Sequence, residues 1–323
     1  MMRPQHTLQL WCGIALLPVA QASAAPIPAD KALRCQVVAV LAAAGDPRLH
    51  LPTDVAVSAS GRIYVADGVN DRLLRFEADG QAGVSIGAIS GEDLANPLAV
   101  TSDAGGRLWI ADNGNHRVVV ASADGDLLEV VVLPPAAGGQ PADPTDVAVT
   151  LDGKQACVVD NDHHRLLLRD NDSGLITVIG EPGDARGQLR WPFMAAVLSD
   201  GEMLVTEAIG ARVQRLVPPD RWTGQISRWG VQLGELYRPK GIAVDDHDRV
   251  YVGDSTTGAV QVFHHRGRLL GVLVDEAGQV RRFSHPMGLC FDAQGRLLVV
   301  EMTGQRVAVV TVELPLSTGG GQP

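Results

Sequence analysis

Residues 52–76 read PTDVAVSASGRIYVADGVNDRLLRF. Pro52 opens a short apolar run, DVAV. Ser58-Ala59-Ser60-Gly61 ends it, with Gly61 free to take the positive φ that a tight turn needs. A second apolar run, RIYVA, closes on Asp67. A short polar loop then leads to Arg72 and a third run, RLLRF. Asp79-Gly80 follows as a hairpin-turn pair, with a fourth run around residues 83–86. These runs are too short for helices, and the second is apolar at consecutive positions. A sheet with one wet face would alternate, so continuous apolar character means that both faces are covered.

The same wording returns along the chain. The opening prolines are Pro52, Pro97, Pro144, Pro192, Pro239 and Pro286, and the strand-ending acids are Asp67, Asp112, Asp160, Glu207, Asp254 and Glu301. Two landmarks that hold one spacing of about 47 residues mark a ring of like modules, one four-stranded blade per repeat. The last repeat supplies three strands, the third at residues 306–312, and then a Gly/Pro-rich tail at 314–323 that is expected to be flexible. One apolar run, QVVAVL at residues 36–41, precedes the first proline unmatched. It is expected to supply the missing fourth strand and so close the ring without an exposed edge. The expected fold is all-β: a six-bladed β-propeller of four-stranded antiparallel blades, one domain over residues 35–313, its last blade closed by the N-terminal strand.

Composition narrows the partners. Of 323 residues 46% are hydrophobic and 20% charged, which suits a packed domain and not a disordered chain. Lys and Arg number 27 against 37 Asp and Glu, a net charge of −10. Such a balance repels phosphate backbones, and no basic stripe offsets it, so no nucleic-acid partner is expected. Residues 1–24 carry Arg3, an apolar stretch from Leu8 to Ala20 and the small residues Ala22-Ser23-Ala24. That is the pattern of a cleaved signal peptide, and its apolar part is shorter than the ~20 residues of a spanning helix. The mature chain is therefore expected to be exported, periplasmic or extracellular, without membrane insertion. Cys35, Cys157 and Cys290 remain in it, an odd number that leaves at least one free thiol, and they read as small buried hydrophobes. No CxxC and no Cys/His cluster has the spacing of a zinc site.

The stretches at residues 52–76, 105–120 (GGRLWIADNGNHRVVV) and 238–254 (RPKGIAVDDHDRVYVGD) resemble NHL repeats, and the resemblance covers about residues 35–313. It implies a six-bladed propeller. It leaves function open, because that family holds binding modules, secreted proteins and a few enzymes. Its amidating lyase places a zinc-binding His directly after the repeat proline. Here those positions hold Thr53, Leu98, Thr145, Phe193, Lys240 and Met287, so that activity is not carried over.

Each strand-ending acid is followed five residues on by Arg72, Arg117, Arg165, Arg212 or Arg306, with Ala259 breaking the series in the fifth repeat. A pair repeated around a ring reads as a clamp. The acid accepts backbone N–H groups and pairs with a nearby Arg, the blade boundary included. His116 reads as part of that loop, and His163-His164 as solvated polar residues. Differences between repeats carry the functional information. The residues around each repeat proline lie at the channel mouth, where side chains from several blades converge. The candidate binding residues are Asp54, Asp146, Trp191, Phe193, Arg238, Lys240, His285 and Met287. The expected ligand or partner is an unidentified protein, peptide or small molecule at that mouth. No catalytic residue, resident metal or cofactor is assigned, and no Gly-x-Ser-x-Gly motif or phosphate loop is present. The expected role is binding or scaffolding. The rival is a propeller hydrolase or lyase with a metal in the channel, toward which Asp54 and Asp146 could supply oxygen ligands.

Overall fold

Each repeat builds a four-stranded antiparallel unit in a computed structural model that describes residues 26–41, 49–80, 82–89 and 91–313. The first unit pairs Asp54–Val57, Ile63–Asp67, Arg72–Phe76 and Ala82–Ile86 in chain order. Three more follow as separate sheets, opened by Pro97–Ser102, Pro144–Val149 and Pro192–Val197. The last two units, opened by Pro239–Val244 and Pro286–Phe291, are fused into one eight-stranded sheet. Two ribbons of two-residue strands, Ala88–Ile89 with Glu92–Asp93 and Glu181–Pro182 with Gln188–Leu189, lie in connections between units. Regular helix among the described residues is confined to three-residue 3₁₀ turns, none able to cross a membrane.

Burial explains why the modules stack. The second strands are covered on both faces: Ile63–Asp67, Leu108–Asp112, Met203–Glu207 and Leu297–Glu301 are buried throughout. The cover comes from the neighbouring unit. One apolar cluster joins Tyr64 and Leu73 of the first unit to Val100, Ile110 and Val119 of the second. The next joins Trp109 and Val118 of the second to Val147 and Val158 of the third. A module alone would leave these faces in water, at a cost of about 25 cal/mol per Å² of apolar surface. The opening strands pack in sequence, each on the next, and Pro286–Phe291 packs on Asp54–Val57, so the circuit closes on itself. The fold is a propeller.

The closing strand is longer than residues 36–41. Ala32–Leu41 runs antiparallel to Arg306–Val312, from Cys35 opposite Val312 to Leu41 opposite Val307. Its first three residues, Ala32, Leu33 and Arg34, pair in parallel with Val272, Leu273 and Val274 of the fifth unit. One strand therefore binds the edges of two units and fuses them. Residues 1–24 and 314–323, read as leader and tail, lie outside the described residues.

Candidate functional site

The recurring acid is a structural clamp. Asp67, Asp112, Asp160, Glu207 and Glu301 are almost wholly buried. Each takes the Nε of the Arg five residues on, at 2.6–2.9 Å. The same carboxylates accept the backbone N–H of His50, Ala95, Asp143, Arg190 and Ser284, which fixes the approach to each opening strand. The Asp–Arg pair lies within one unit and does not cross the boundary. In the fifth unit Asp254 makes up for Ala259 by accepting the N–H groups of Tyr237, Arg238, Thr256 and Thr257.

A second set of bonds stitches unit to unit around the channel. Thr53 Oγ1 donates to Leu98 O, and Asp54 accepts Val100 N–H. Thr145 Oγ1 donates to Phe193 O, and Asp146 accepts Ala195 N–H. Asn113 Nδ2 reaches Pro144 O, and Thr206 Oγ1 reaches Lys240 O. Gly288 N–H donates to Thr53 O, joining the sixth unit to the first. A Cβ on Gly288 would meet Asp54 Oδ1 at 2.0 Å, and one on Gly241 would meet Met287 O at 1.8 Å. Those glycines are demanded by the next unit's close approach.

The eight candidate residues therefore divide. Asp54, Asp146, Phe193 and Met287 are 7%, 5%, 3% and 1% exposed, so they are packed into the ring's interior. Burial raises the Asp54 carboxyl well above the usual carboxylate range, and the neighbouring Asp146 charge adds to it; the Val100 and Val55 amides pull the other way. Burial pushes Asp146 up to about 7 against two backbone N–H groups. The other four stand at the rim. Trp191 is 45% exposed, while Arg238, Lys240 and His285 are half-buried.

Trp191, Arg238 and His285 occupy the same position, directly before the repeat proline, in three consecutive units. Lys240 Nζ stands 4.5 Å from the centroid of the Phe193 ring, a cation–π contact between adjacent units. Burial and the nearby Lys240 ammonium lower the pKa of His285, whose Nδ1 lies 3.2 Å from Thr303 Oγ1. The other three pre-proline positions hold Leu51, Asn96 and Asp143. There Asn113 ties the polar pair together, donating to Asp143 Oδ1 and accepting from Asn96 Nδ2. The mouth thus has one side where Asn96, Asn113 and Asp143 bond one another beside the apolar Leu51, and one open side set with an exposed indole and basic residues.

The His163-His164 doublet is not simply solvated. Both rings are half-buried. His163 Nδ1 bonds Asp160 at 2.7 Å, in the place where Asn70 and Asn115 bond their own acids. That alignment, three residues after each acid, was the signal for its role. Trp191 N–H donates to His164 Nδ1, and the two rings meet edge to face at 4.3 Å. His164 therefore belongs to the open half. Burial lowers its pKa. His116 Nδ1 lies 2.9 Å from Ala142 O and spans the second and third units. Cys35, Cys157 and Cys290 are free thiols, and burial raises the pKa of all three. Among the described residues, Asp245, Asp246 and His247 are the trio within ligating reach of one another, in a turn on the opposite face from the mouth.

The NHL repeat family model matches residues 94–121 and 236–263. No curated protein matches the chain. Among solved structures, a streptogramin B lyase is similar at a TM-score of 0.64 and 11% identity, over 86% of this chain and 98% of that one. A gluconolactonase from Xanthomonas campestris is similar at 0.63 and 20%, over 90% and 97%. An auxiliary nutrient binding protein from Bacteroides thetaiotaomicron is similar at 0.63 and 11%, over 86% and 76%. At such identities these likenesses speak to the fold alone, and the same scaffold carries enzymes and binding proteins.

Proposed function

We propose that this chain, an NHL-repeat propeller protein, is an exported non-catalytic binding or scaffolding module whose ligand docks on the open half of the channel mouth. The observation that carries the reading is the asymmetry of the pre-proline ring. The second and third units bond their polar mouth residues Asn96, Asn113 and Asp143 to one another, while the next three units present Trp191, Arg238 and His285, with Lys240 just inside. An exposed indole and half-buried cations brought together from separate modules are the composition of a binding hot spot. The leader-like residues 1–24 support export, and the acidic balance opposes a nucleic-acid partner.

The alternative is a metal-dependent hydrolase or lyase working at the same mouth. It draws on the lyase and gluconolactonase among the structural neighbours and on the neighbouring buried carboxyls Asp54 and Asp146. Each of those carboxyls already gives an oxygen to the next unit's amide, and hard cations such as calcium want six to eight oxygens. Two measurements on the purified chain separate the readings. Binding predicts that a ligand captured from native extract is recovered chemically unchanged, and that capture survives a chelator. Stoichiometric metal, with conversion of the captured ligand that chelation abolishes, overturns binding in favour of the enzyme.

A further inference from the structure

We propose that the open half of the mouth recognises an organic anion, a carboxylate or phosphate group carried on a flat apolar body, and that Arg238 reads the charge. This deepens the binding reading and rests on it.

The clamp arginines Arg72, Arg117, Arg165, Arg212 and Arg306 are each paired with a buried acid. Arg238 is also half-buried, yet among the described residues its guanidinium makes no hydrogen bond or ion pair; only its backbone is engaged, donating to Asp254 and accepting from Ser255. Asp254 is already filled by four backbone N–H groups, so it is not a missing partner. In a chain with ten more acids than bases, a guanidinium with no acid of the chain bonded to it is left available to an anion from outside. A guanidinium presents a planar fork that matches a carboxylate or phosphate edge.

Lys240 adds a second cation two residues after Arg238, and burial together with that charge lowers the pKa of His285, which holds the equivalent position in the next unit. Of the acids near the mouth, Asp143 is bonded to Asn113, and the exposed Asp162 lies close enough to His164 to act on its pKa. Trp191, in the unit on the other side, offers an exposed ring braced by His164. A ligand with its anionic group on Arg238 would lay its body on that indole, which suits a flat apolar frame.

The test is a fluorescence and calorimetric titration of the full mature chain with benzoate, phenyl phosphate, inorganic phosphate and the neutral benzyl alcohol. The expected result is that one or both organic anions bind at least tenfold tighter than benzyl alcohol. Benzoate and phenyl phosphate tell carboxylate from phosphate. Inorganic phosphate should be weaker than phenyl phosphate, because it leaves Trp191 uncovered. Arg238→Gln should erase the preference for anions, Arg238→Lys should restore part of it, and both variants should melt like the wild type. Anions binding no tighter than benzyl alcohol, or no tighter to wild type than to Arg238→Gln, overturn the anion proposal while leaving the binding reading standing. Failure of both organic anions to bind at millimolar concentration also overturns it. The binding reading itself falls on a different result, metal-dependent conversion of a captured ligand.

Discussion

Replacing Val312 by cysteine should lock the ring. Val312 lies directly opposite the native Cys35 in the antiparallel pairing of the first strand with the last. Facing residues in such a pair have Cα atoms about 4.5–5.5 Å apart, inside the ~4.4–6.8 Å range that a disulfide accepts. The bond would tie residue 35 to residue 312 and close a loop of nearly the whole propeller. With about 280 residues in the loop, chain-entropy arithmetic gives a ceiling of about 5–6 kcal/mol, while introduced disulfides typically return about 2–4 kcal/mol. For a domain of this size each kcal/mol moves the melting temperature by roughly 2–4 °C, so a rise of about 5–15 °C is expected. Burial pushes the Cys35 thiol up to about 11, so air oxidation should be slow and a chemical oxidant is needed. The assay is thiol counting and peptide mapping after oxidation, then thermal unfolding with and without reductant. The reasoning is refuted if the introduced thiol stays unpaired with Cys35 in the folded protein, or if the bond forms and the melting temperature does not rise.

Three further perturbations probe the parts that shape the mouth. Burial holds the Asp146 pKa at about 7, against 3.8 for an ordinary Asp, so its stabilising influence is full below pH 4 and is lost as pH rises through 7; three units correspond to about 4 kcal/mol as an upper figure. Asp146→Asn, which keeps an oxygen for Ala195 N–H, should therefore gain on wild type between pH 5 and 8 in denaturant titrations, and parallel curves would contradict this. Protonating His164 Nδ1 removes the acceptor for Trp191 N–H, and its pKa lies below 6.5, so Trp191 fluorescence should change as pH falls from 7 to 5 and not do so in His164→Gln. Asp67→Ala leaves the Arg72 guanidinium short of its charge partner and frees the His50 amide, and should cost about 3–5 kcal/mol, read as a lowered denaturation midpoint.

Much of this was legible because each blade repeats the same local chemistry. Proline, turn, acid and Arg recur, so the order of the strands in a repeat and the clamp could be read without coordinates, as could the pairing of residues 36–41 with the last strand. The bonds between units could not. Asp54 meets Val100 and Asp146 meets Ala195, 46 and 49 residues away, a relation set by how one unit rotates onto the next. Asp54 and Asp146 were legible as acids near a channel, but not as acceptors that latch one unit to the next. The parallel pairing of Ala32–Arg34 with Val272–Val274 was hidden as well, because those three residues have no counterpart in any repeat. At the mouth the residue types were visible, but their division depends on Asn113, which bonds Asn96 of its own unit and Asp143 of the next.

The open half is the account's centre, and one comparison addresses it most directly. Two variants are matched for melting temperature against wild type: Trp191→Ala with Arg238→Gln and Lys240→Gln on one side, Leu51→Ala with Asn96→Gly on the other. Ligand retained from native extract is then quantified by mass spectrometry. The account predicts that the first variant loses at least tenfold and the second stays within about twofold of wild type, since 1.4 kcal/mol of lost contact is already a factor of ten. Full retention by the first variant, or loss confined to the second, would contradict it.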